Sequence, residues 1–214
     1  MADVELFIGN RRYSSWSLRA WLALHASGVS FSCTMIWLDS PSFIPSVAEL
    51  GGSQRLPALR IGEHTVWDSL AICEFAAERS IPAAPLWPSD PLQRAVARAY
   101  AAEMHAGFPN LRRELPMDLD ANTTREISTE CWHEVTRICE LWRAALASNA
   151  HLGPYLFGQF SIADCMFAPV IERFLGYGVP VDALCAAYAH TMRGHEGMAK
   201  WRLEAAGEHA LTDP

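Results

Sequence analysis

The sequence predicts an α/β domain followed by an all-helical domain. Strand-like and helix-like patterns alternate up to about residue 80. Three prolines in the segment 81–88 then indicate a linker. Beyond it, apolar residues recur at helical spacing only. We therefore expect a first domain at residues 1–82, a linker at 83–90 and an all-helical domain at 91–214.

The first strand, helix and second strand of the N-terminal domain are indicated by local patterns. Val4 to Ile8 is an apolar run typical of a strand. Residues 15–27 have helical spacing and end before Gly28, the residue type that most often follows a helix. Apolar and polar residues alternate over 31–37, which predicts a second strand. A strand, a crossover helix and a strand form a parallel pair.

A loop, a hairpin and a helix complete the domain. Residues 39–52 are rich in proline and glycine and predict a loop with room for one helical turn. Segments 58–61 and 65–67 flank a Gly-Glu-His turn and predict an antiparallel hairpin. Helical spacing then extends over about 68–79.

The helical domain is predicted from longer periodic segments. An alanine-rich stretch and a stretch with Trp, Val, Cys and Leu at helical spacing suggest two long helices. Ser161 and Asp164 are spaced as a capping box, which indicates the start of a buried helix rather than a site. The expected helices lie at 93–108, at 124–148, from Ser161 onwards, at 181–192 and at 195–206.

Two adjacent hydroxyls, Ser14 and Ser15, stand where the first strand gives way to the first helix. The first N–H groups of a helix have no partner within the helix, and the positive end of the helix dipole lies there. Such a position favours an anion, whether phosphate, carboxylate or thiolate. A serine hydroxyl can donate a hydrogen bond to that anion. The sequence therefore places a candidate site at Ser14 and Ser15.

Two further motifs point to the same end of the predicted sheet. Pro57 precedes the third strand, where it is either an ordinary trans proline or a cis proline that turns the Leu56 backbone towards a peptide-like ligand. Asp68 and Ser69 open the next helix. The structural interpretation is that one of the two side chains caps the helix, and the functional interpretation is that the Ser69 hydroxyl helps to hold a carboxylate.

Composition excludes several classes of function. A net charge of −7 with only two basic doublets gives no basic face for a nucleic acid. No apolar run is long enough to span a membrane, and no Gly-rich phosphate loop is present. Neither the eight histidines nor the six cysteines have metal-ligand spacing. We expect a cytoplasmic protein with reduced thiols, no metal, and no nucleic-acid or membrane partner.

These motifs, in this order, resemble the cytosolic glutathione S-transferases over nearly the whole chain. The segment Ser14-Ser15-Trp16-Ser17-Leu18-Arg19 is similar to the serine-type active-site segment, closest to the zeta class. The segment from Arg55 to Leu59 is similar to the strand entered by a cis proline, and that from Asp68 to Ile72 to the helix start that holds the γ-glutamyl end of glutathione. The resemblance implies a thioredoxin-like N-terminal domain and the all-helical C-terminal domain of this family.

The resemblance also implies roles for individual residues. Ser14 would stabilise the glutathione thiolate, with Ser15 and then Tyr13 as alternatives. The other expected glutathione contacts are Trp16, Gln54, Arg55, Leu56, Pro57, Asp68 and Ser69. The expected contacts to a small hydrophobic electrophile are Tyr100, Met104, His105 and Phe108. A homodimer is expected as well.

Trp16 is a departure from the zeta class, which has a cysteine after its two serines. This departure speaks against maleylacetoacetate isomerase activity, and the absence of a cysteine from the segment speaks against thiol exchange. We expect a glutathione transferase. The alternatives are a maleylacetoacetate-type cis-trans isomerase and a protein that binds glutathione or hydrophobic molecules without turnover.

Overall fold

Four short strands form one mixed sheet in the N-terminal part of the chain. They are β1 (Val4–Gly9), β2 (Ser32–Ile36), β3 (Ala58–Ile61) and β4 (His64–Trp67), arranged in the order β2-β1-β3-β4. β1 runs parallel to β2 and antiparallel to β3, with Phe7 opposite Ala58. β3 and β4 form the predicted hairpin, with Ala58 opposite Trp67.

The structure is a computed structural model that describes residues 3–38, 40–52, 54–82 and 84–208. The chain divides into two compact units. One holds the described residues up to Leu86 together with those from Lys200 onwards, and the other is Trp87–Ala199. The division lies within the expected linker, but the end of the chain joins the first unit, whereas the sequence placed it in the helical domain.

The unit that contains the sheet, called the N-terminal unit below, has three helices among its described residues before Leu86. They are α1 (Ser15–Ser27), α2 (Phe43–Glu49) and α3 (Ser69–Arg79). α1 packs against α3, and the thiol of Cys73 on α3 donates to the carbonyl of Arg19 on α1 at 3.6 Å. Gly28 has φ +74°, the left-handed conformation expected after α1. α2 is longer than the single turn that the sequence suggested, because proline is tolerated in the first turn of a helix.

The remaining helices are α4 (Pro91–Ala106), α5 (Pro109–Glu114), α6 (Thr129–Asn149), α7 (Ile162–Gly176), α8 (Ala183–Arg193) and α9 (Glu196–Glu208). The expected helix at 93–108 ends two residues early, because Phe108 adopts φ +63° before Pro109 starts α5. The short helix α5 was not predicted from the sequence. The helix expected from 124 begins at Thr129, because the hydroxyl of Ser128 accepts from the N–H of Cys131 and caps it.

The core of the helical unit surrounds Trp142 and a buried carboxylate. The Trp142 ring lies 5.0 to 5.9 Å from those of Phe167, Phe174 and Tyr188. Asp164 accepts from the N–H and hydroxyl of Ser161 (2.9 Å each), from the N–H of Leu156 (3.1 Å) and from the hydroxyl of Tyr188 (2.8 Å). The structural interpretation of this motif, as the cap of a buried helix, is confirmed.

Among the helices that the structure describes, none combines the length and the apolar character needed to cross a membrane.

Candidate active site

The hydroxyl of Ser14 lies buried at the N-terminus of α1. It donates a hydrogen bond of 2.7 Å to the hydroxyl oxygen of Ser17, which also accepts from the N–H of Gly9 (3.1 Å). Ser14 and Ser15 are each 7 % exposed. The Ser14 side chain does not cap α1, so its proton is used locally by Ser17 rather than by the helix. A stronger acceptor such as a thiolate can therefore compete for this proton.

Ser17 is a residue of this site that the sequence analysis did not single out. Its position, three residues after Ser14 and in the first turn of the same helix, places both hydroxyls on neighbouring sides of that turn. This spacing between two serines at a helix N-terminus was the available signal.

A tight turn connects β1 to α1 and carries Ser14. The N–H groups of Tyr13 and Ser14 both donate to the carbonyl of Asn10, at 3.2 and 3.0 Å. The side-chain oxygen of Asn10 accepts from the N–H of Leu38 (3.3 Å). A Cβ on Gly9 would lie 2.7 Å from Leu38 Cδ2 and 3.0 Å from Ser14 Oγ, so only glycine fits beside the hydroxyl without displacement.

The peptide bond between Leu56 and Pro57 is cis, as the resemblance implied. Pro57 is buried and precedes the first paired residue of β3. Within the described part of the chain, neither the N–H nor the carbonyl of Leu56 pairs with another backbone group. These two groups are therefore available to an extended, peptide-like ligand.

Asp68, not Ser69, caps α3. The Asp68 carboxylate accepts from the N–H of Leu70 at 2.8 Å, which decides between the two residues that the sequence allowed. Ser69 is 2 % exposed, and its hydroxyl has no hydrogen-bond partner among the described residues. A buried hydroxyl without a partner costs free energy, and a hydrogen-bond acceptor placed beside it at the N-terminus of α3 would relieve that cost.

The sheet register brings these motifs to one end of the sheet. In this register Phe7, near the C-terminal end of β1, lies opposite Ala58, the first residue of β3. Ala58 also lies opposite Trp67, the last residue of β4. Neighbouring strands lie roughly 4.8 Å apart. The start of α1 after β1, the Leu56–Pro57 segment before β3 and the start of α3 after β4 therefore lie at the same end of the sheet.

The other expected glutathione contacts lie on this unit with differing exposure. Gln54 has φ +56°, and both Gln54 and Arg55 are exposed. The Tyr13 ring is 44 % exposed beneath the Arg12 guanidinium, whose carbon lies 5.0 Å from the ring centre. The Arg19 guanidinium carbon lies 4.5 Å from the ring centre of Trp16, a partly buried residue.

The four residues expected to contact an electrophile lie in the helical unit, three on α4 and one just after it. Met104 is fully buried, and Phe108 is buried in the left-handed conformation described above. Tyr100 and His105 are partly exposed, and the Tyr100 ring packs edge-on against Phe157 at 5.3 Å. Tyr100 and His105 therefore offer the more accessible side chains of this set.

Neither cysteine of the N-terminal unit, Cys33 or Cys73, has a lowered pKa that would favour its thiolate form. Burial raises the pKa of the Cys33 thiol to about 11 and that of Cys73 to about 12. The described residues also contain no group of three or more His, Cys, Asp or Glu side chains that could hold a metal ion. Neither of these two thiols is therefore favoured as a thiolate at neutral pH.

Comparisons with known proteins identify a family of similar sequences. Residues 13–79 match the family described as "Glutathione S-transferase, N-terminal domain", and residues 125–202 match "Glutathione S-transferase, C-terminal domain". The chain is 31% identical over 163 residues to a Caenorhabditis elegans protein named "Probable maleylacetoacetate isomerase", covering 74% of this chain and 73% of the relative. It is 28% identical over 174 residues to the Mus musculus maleylacetoacetate isomerase, covering 75% and 76%.

Solved structures share the fold. A glutathione transferase homologue from Burkholderia, with bound glutathione, has a TM-score of 0.72 at 20% identity over 97% of this chain and 99% of its own. A zeta-class bacterial maleyl pyruvate isomerase has a TM-score of 0.71 at 24% identity over 92% and 95%. These matches confirm the expected fold class, a thioredoxin-like domain followed by an all-helical domain.

Proposed function

The chain belongs to the glutathione S-transferase family, and from this premise we propose that it binds glutathione at the described end of the sheet and activates the thiol for attack on a small hydrophobic electrophile. The observation that carries the proposal is the buried Ser69 hydroxyl, which has no partner within the described residues. Ser69 follows the end of β4, the Leu56 backbone precedes β3 and Ser14 follows the end of β1, so all three lie at the same end of the sheet.

Ser14 is proposed as the donor to the glutathione thiolate. A free thiol with a pKa of ~8.5 is only a few per cent ionised at neutral pH. Lowering that pKa by about two requires roughly 2.7 kcal/mol of preference for the thiolate. A hydrogen bond to a charged acceptor and the N-terminus of α1 together supply this order of magnitude. Ser14 would then turn its proton from Ser17 to the sulfur, while Ser17 keeps the N–H of Gly9. Ser15 and Tyr13 are the alternative donors.

The peptide part of glutathione is assigned to the other two motifs. The Leu56 backbone, held by cis Pro57, would pair with the cysteinyl unit. The Ser69 hydroxyl would donate to the γ-glutamyl carboxylate, and the Asp68 carboxylate would attract the γ-glutamyl ammonium group. Gln54 or Arg55, both exposed, would reach the glycyl carboxylate. Trp16 and Tyr13 would flank the bound peptide.

The electrophile is proposed to contact Tyr100, Met104, His105 and Phe108, with Tyr100 and His105 the more accessible of the four. Replacing either Tyr100 or His105 by alanine is expected to raise the KM for the electrophile while leaving the KM for glutathione unchanged. A change in the glutathione KM alone would count against this assignment.

Cis-trans isomerisation is the second candidate, because the curated relatives carry that name. The two activities differ in outcome: conjugation leaves sulfur bonded to product, whereas an isomerase adds and then releases the thiolate. A panel of electrophiles and a spectroscopic isomerisation assay on maleylacetoacetate distinguish them. Glutathione binding without turnover in either assay would favour the non-catalytic alternative.

Calorimetry with glutathione on wild type and Ser14→Ala, with thiolate absorbance followed against pH, tests the proposal. We expect binding with a thiolate signal near neutral pH in wild type and loss of the signal in the variant. Absence of binding by wild type would contradict the proposal.

We also propose that the protein is a cytoplasmic homodimer. All six cysteines are free, which fits a reducing compartment. Leu92 on α4 is 77 % exposed and Val96 is 49 % exposed, so this helix has apolar surface to cover. Sedimentation is expected to give twice the chain mass, and a stable monomer would refute the assembly.

A further inference from the structure

We propose that the end of α9 is a positioning element for Ser14, in which Glu208, Trp201 and Glu204 fix the backbone of Arg11 and thereby the turn that carries the catalytic hydroxyl. The proposal rests on the proposed function, because it assigns these residues a role in activating the glutathione thiol. Residues Trp201, Glu204 and Glu208 belong to the same compact unit as Ser14.

Glu208 holds both the backbone and the side chain of Arg11. The N–H of Arg11 donates to both carboxylate oxygens, at 2.8 and 3.1 Å, and the Arg11 Nη1 group donates to Oε1 at 3.0 Å. The Glu208 side chain is only 7 % exposed and that of Arg11 13 % exposed. A charged pair this shielded, with a backbone donor in addition, is far more constraining than a surface ion pair.

Trp201 and Glu204 also bind Arg11. The indole N–H of Trp201 donates to the carbonyl of Arg11 at 3.2 Å, and the guanidinium carbon lies 5.4 Å from its ring centre. Glu204 pairs with Arg11 Nη2 at 2.7 Å. Both backbone groups of Arg11 are thus satisfied by residues 190 and 197 positions away in sequence.

The turn transmits this constraint to Ser14. Arg11 is the second residue of the turn closed by the bonds from Tyr13 and Ser14 to the Asn10 carbonyl. A shift of the Arg11 backbone therefore moves the peptide units that lead into Ser14. Donor geometry must be held within a few tenths of an ångström to stabilise a thiolate, so a fixed turn favours activation.

The direction in which the pKa of bound glutathione changes distinguishes a positioning role of Glu208 from a direct electrostatic effect of its charge. Removing a carboxylate near the site would by itself favour the thiolate and lower the pKa of bound glutathione. Loss of positioning weakens the Ser14 hydrogen bond and raises that pKa. Glu208→Ala is therefore expected to raise the pKa of the bound thiol by about 1 and to cut kcat/KM below neutral pH about tenfold.

Glu114 provides a matched control, because its carboxylate also holds a distant backbone N–H, that of Ser128, at 2.8 Å, together with an arginine. Glu114→Ala is expected to lose stability without changing the pKa of bound glutathione. Trp201→Phe keeps an aromatic ring but loses the N–H donor, and it is expected to raise the pKa of bound glutathione less than Glu208→Ala does. Glu208→Gln, which keeps an acceptor, is expected to restore part of the wild-type pKa.

The experiment is a titration of thiolate absorbance in the glutathione complex of the full chain, with thermal unfolding measured in parallel. A wild-type protein that binds no glutathione would overturn the proposed function. A wild-type thiolate signal that Glu208→Ala leaves unchanged or shifts to lower pH would overturn only the positioning role. If Glu114→Ala raised the pKa of bound glutathione as much as Glu208→Ala does, the positioning role would also be overturned. If Glu208→Ala does not fold, Trp201→Phe and Glu208→Gln test the positioning role instead. A pKa of bound glutathione above that of wild type would support the role, and an unchanged or lower pKa in both variants would overturn it.

Discussion

The hydroxyls of Ser14 and Ser17 lie 2.7 Å apart, and Ser14 is the donor. Ser17 is also bonded to the N–H of Gly9 at the end of β1, so the two serines join a strand end to a helix start. This pair sets the direction in which the Ser14 proton points before a ligand arrives.

Ser14→Ala removes the proposed donor to the thiolate. We expect the pKa of bound glutathione to rise by about 1 to 2 and kcat/KM at slightly acidic pH to fall roughly 10- to 100-fold, since each factor of ten corresponds to about 1.4 kcal/mol. The pH–rate profile measures both. Ser15→Ala, an equally buried neighbour, is the control. A larger loss in Ser15→Ala would transfer the role to Ser15.

Ser17→Ala leaves the N–H of Gly9 without its acceptor and Ser14 without its internal partner. The free energy of unfolding is expected to fall by about 1 to 2 kcal/mol. Because Ser14 also loses its orientation, kcat/KM should fall, though less than in Ser14→Ala. Denaturant unfolding and steady-state kinetics test the two effects. Lost stability with unchanged kcat/KM would assign Ser17 a structural role only.

Ser69→Ala separates binding from stability. The Ser69 hydroxyl has no partner among the described residues, so its removal should leave the free energy of unfolding unchanged or higher. The Kd for glutathione should rise about tenfold, because one hydrogen bond to a carboxylate is lost.

Ser27→Ala is the matched control for Ser69→Ala. Its hydroxyl is also buried, but it donates to the carbonyl of Leu24 and accepts from Val29 at the far end of α1. This variant should lose stability and keep its affinity. Equal affinity in wild type and Ser69→Ala would contradict the binding role.

Asp164 makes stability depend on pH. Burial raises the pKa of its carboxyl from 3.8 to about 6 despite four hydrogen-bond donors. The folded protein therefore binds this proton more tightly than the unfolded chain. The resulting stabilisation is fully present below pH 3.8 and is lost as pH rises through 6. Relative to Asp164→Asn, wild type should lose about 3 kcal/mol across that window.

Denaturant unfolding of both proteins at a series of pH values measures this difference. Asp182→Asn is the control with the opposite sign, because the backbone N–H of Cys185 lowers the pKa of the Asp182 carboxyl. Wild type should gain stability relative to that variant as pH rises through the acid range. Parallel pH curves for wild type and Asp164→Asn would refute the prediction for Asp164.

The elements that the sequence predicted well are those whose ends are marked by local chemistry. Gly28 ends α1, and Ser161 with Asp164 starts α7, because the relevant contacts lie within a few residues. The short helix α5 escaped prediction, because its six residues are too few for periodicity. Asp68 and Ser69 could not be distinguished as caps, since both residue types cap helices well.

The sequence by itself determined the order of the four strands and of the helices other than α5, the hydroxyls at two helix starts and the proline before β3, because each depends on neighbouring residues. Only the tertiary structure decided which of these groups meet. The antiparallel pairing of β3 with β1 and β4 put the residues that follow β1, precede β3 and follow β4 at one end of the sheet, and the packing of the chain end brought Glu208 to Arg11. Such contacts join residues far apart in the chain, and no local pattern encodes their pairing.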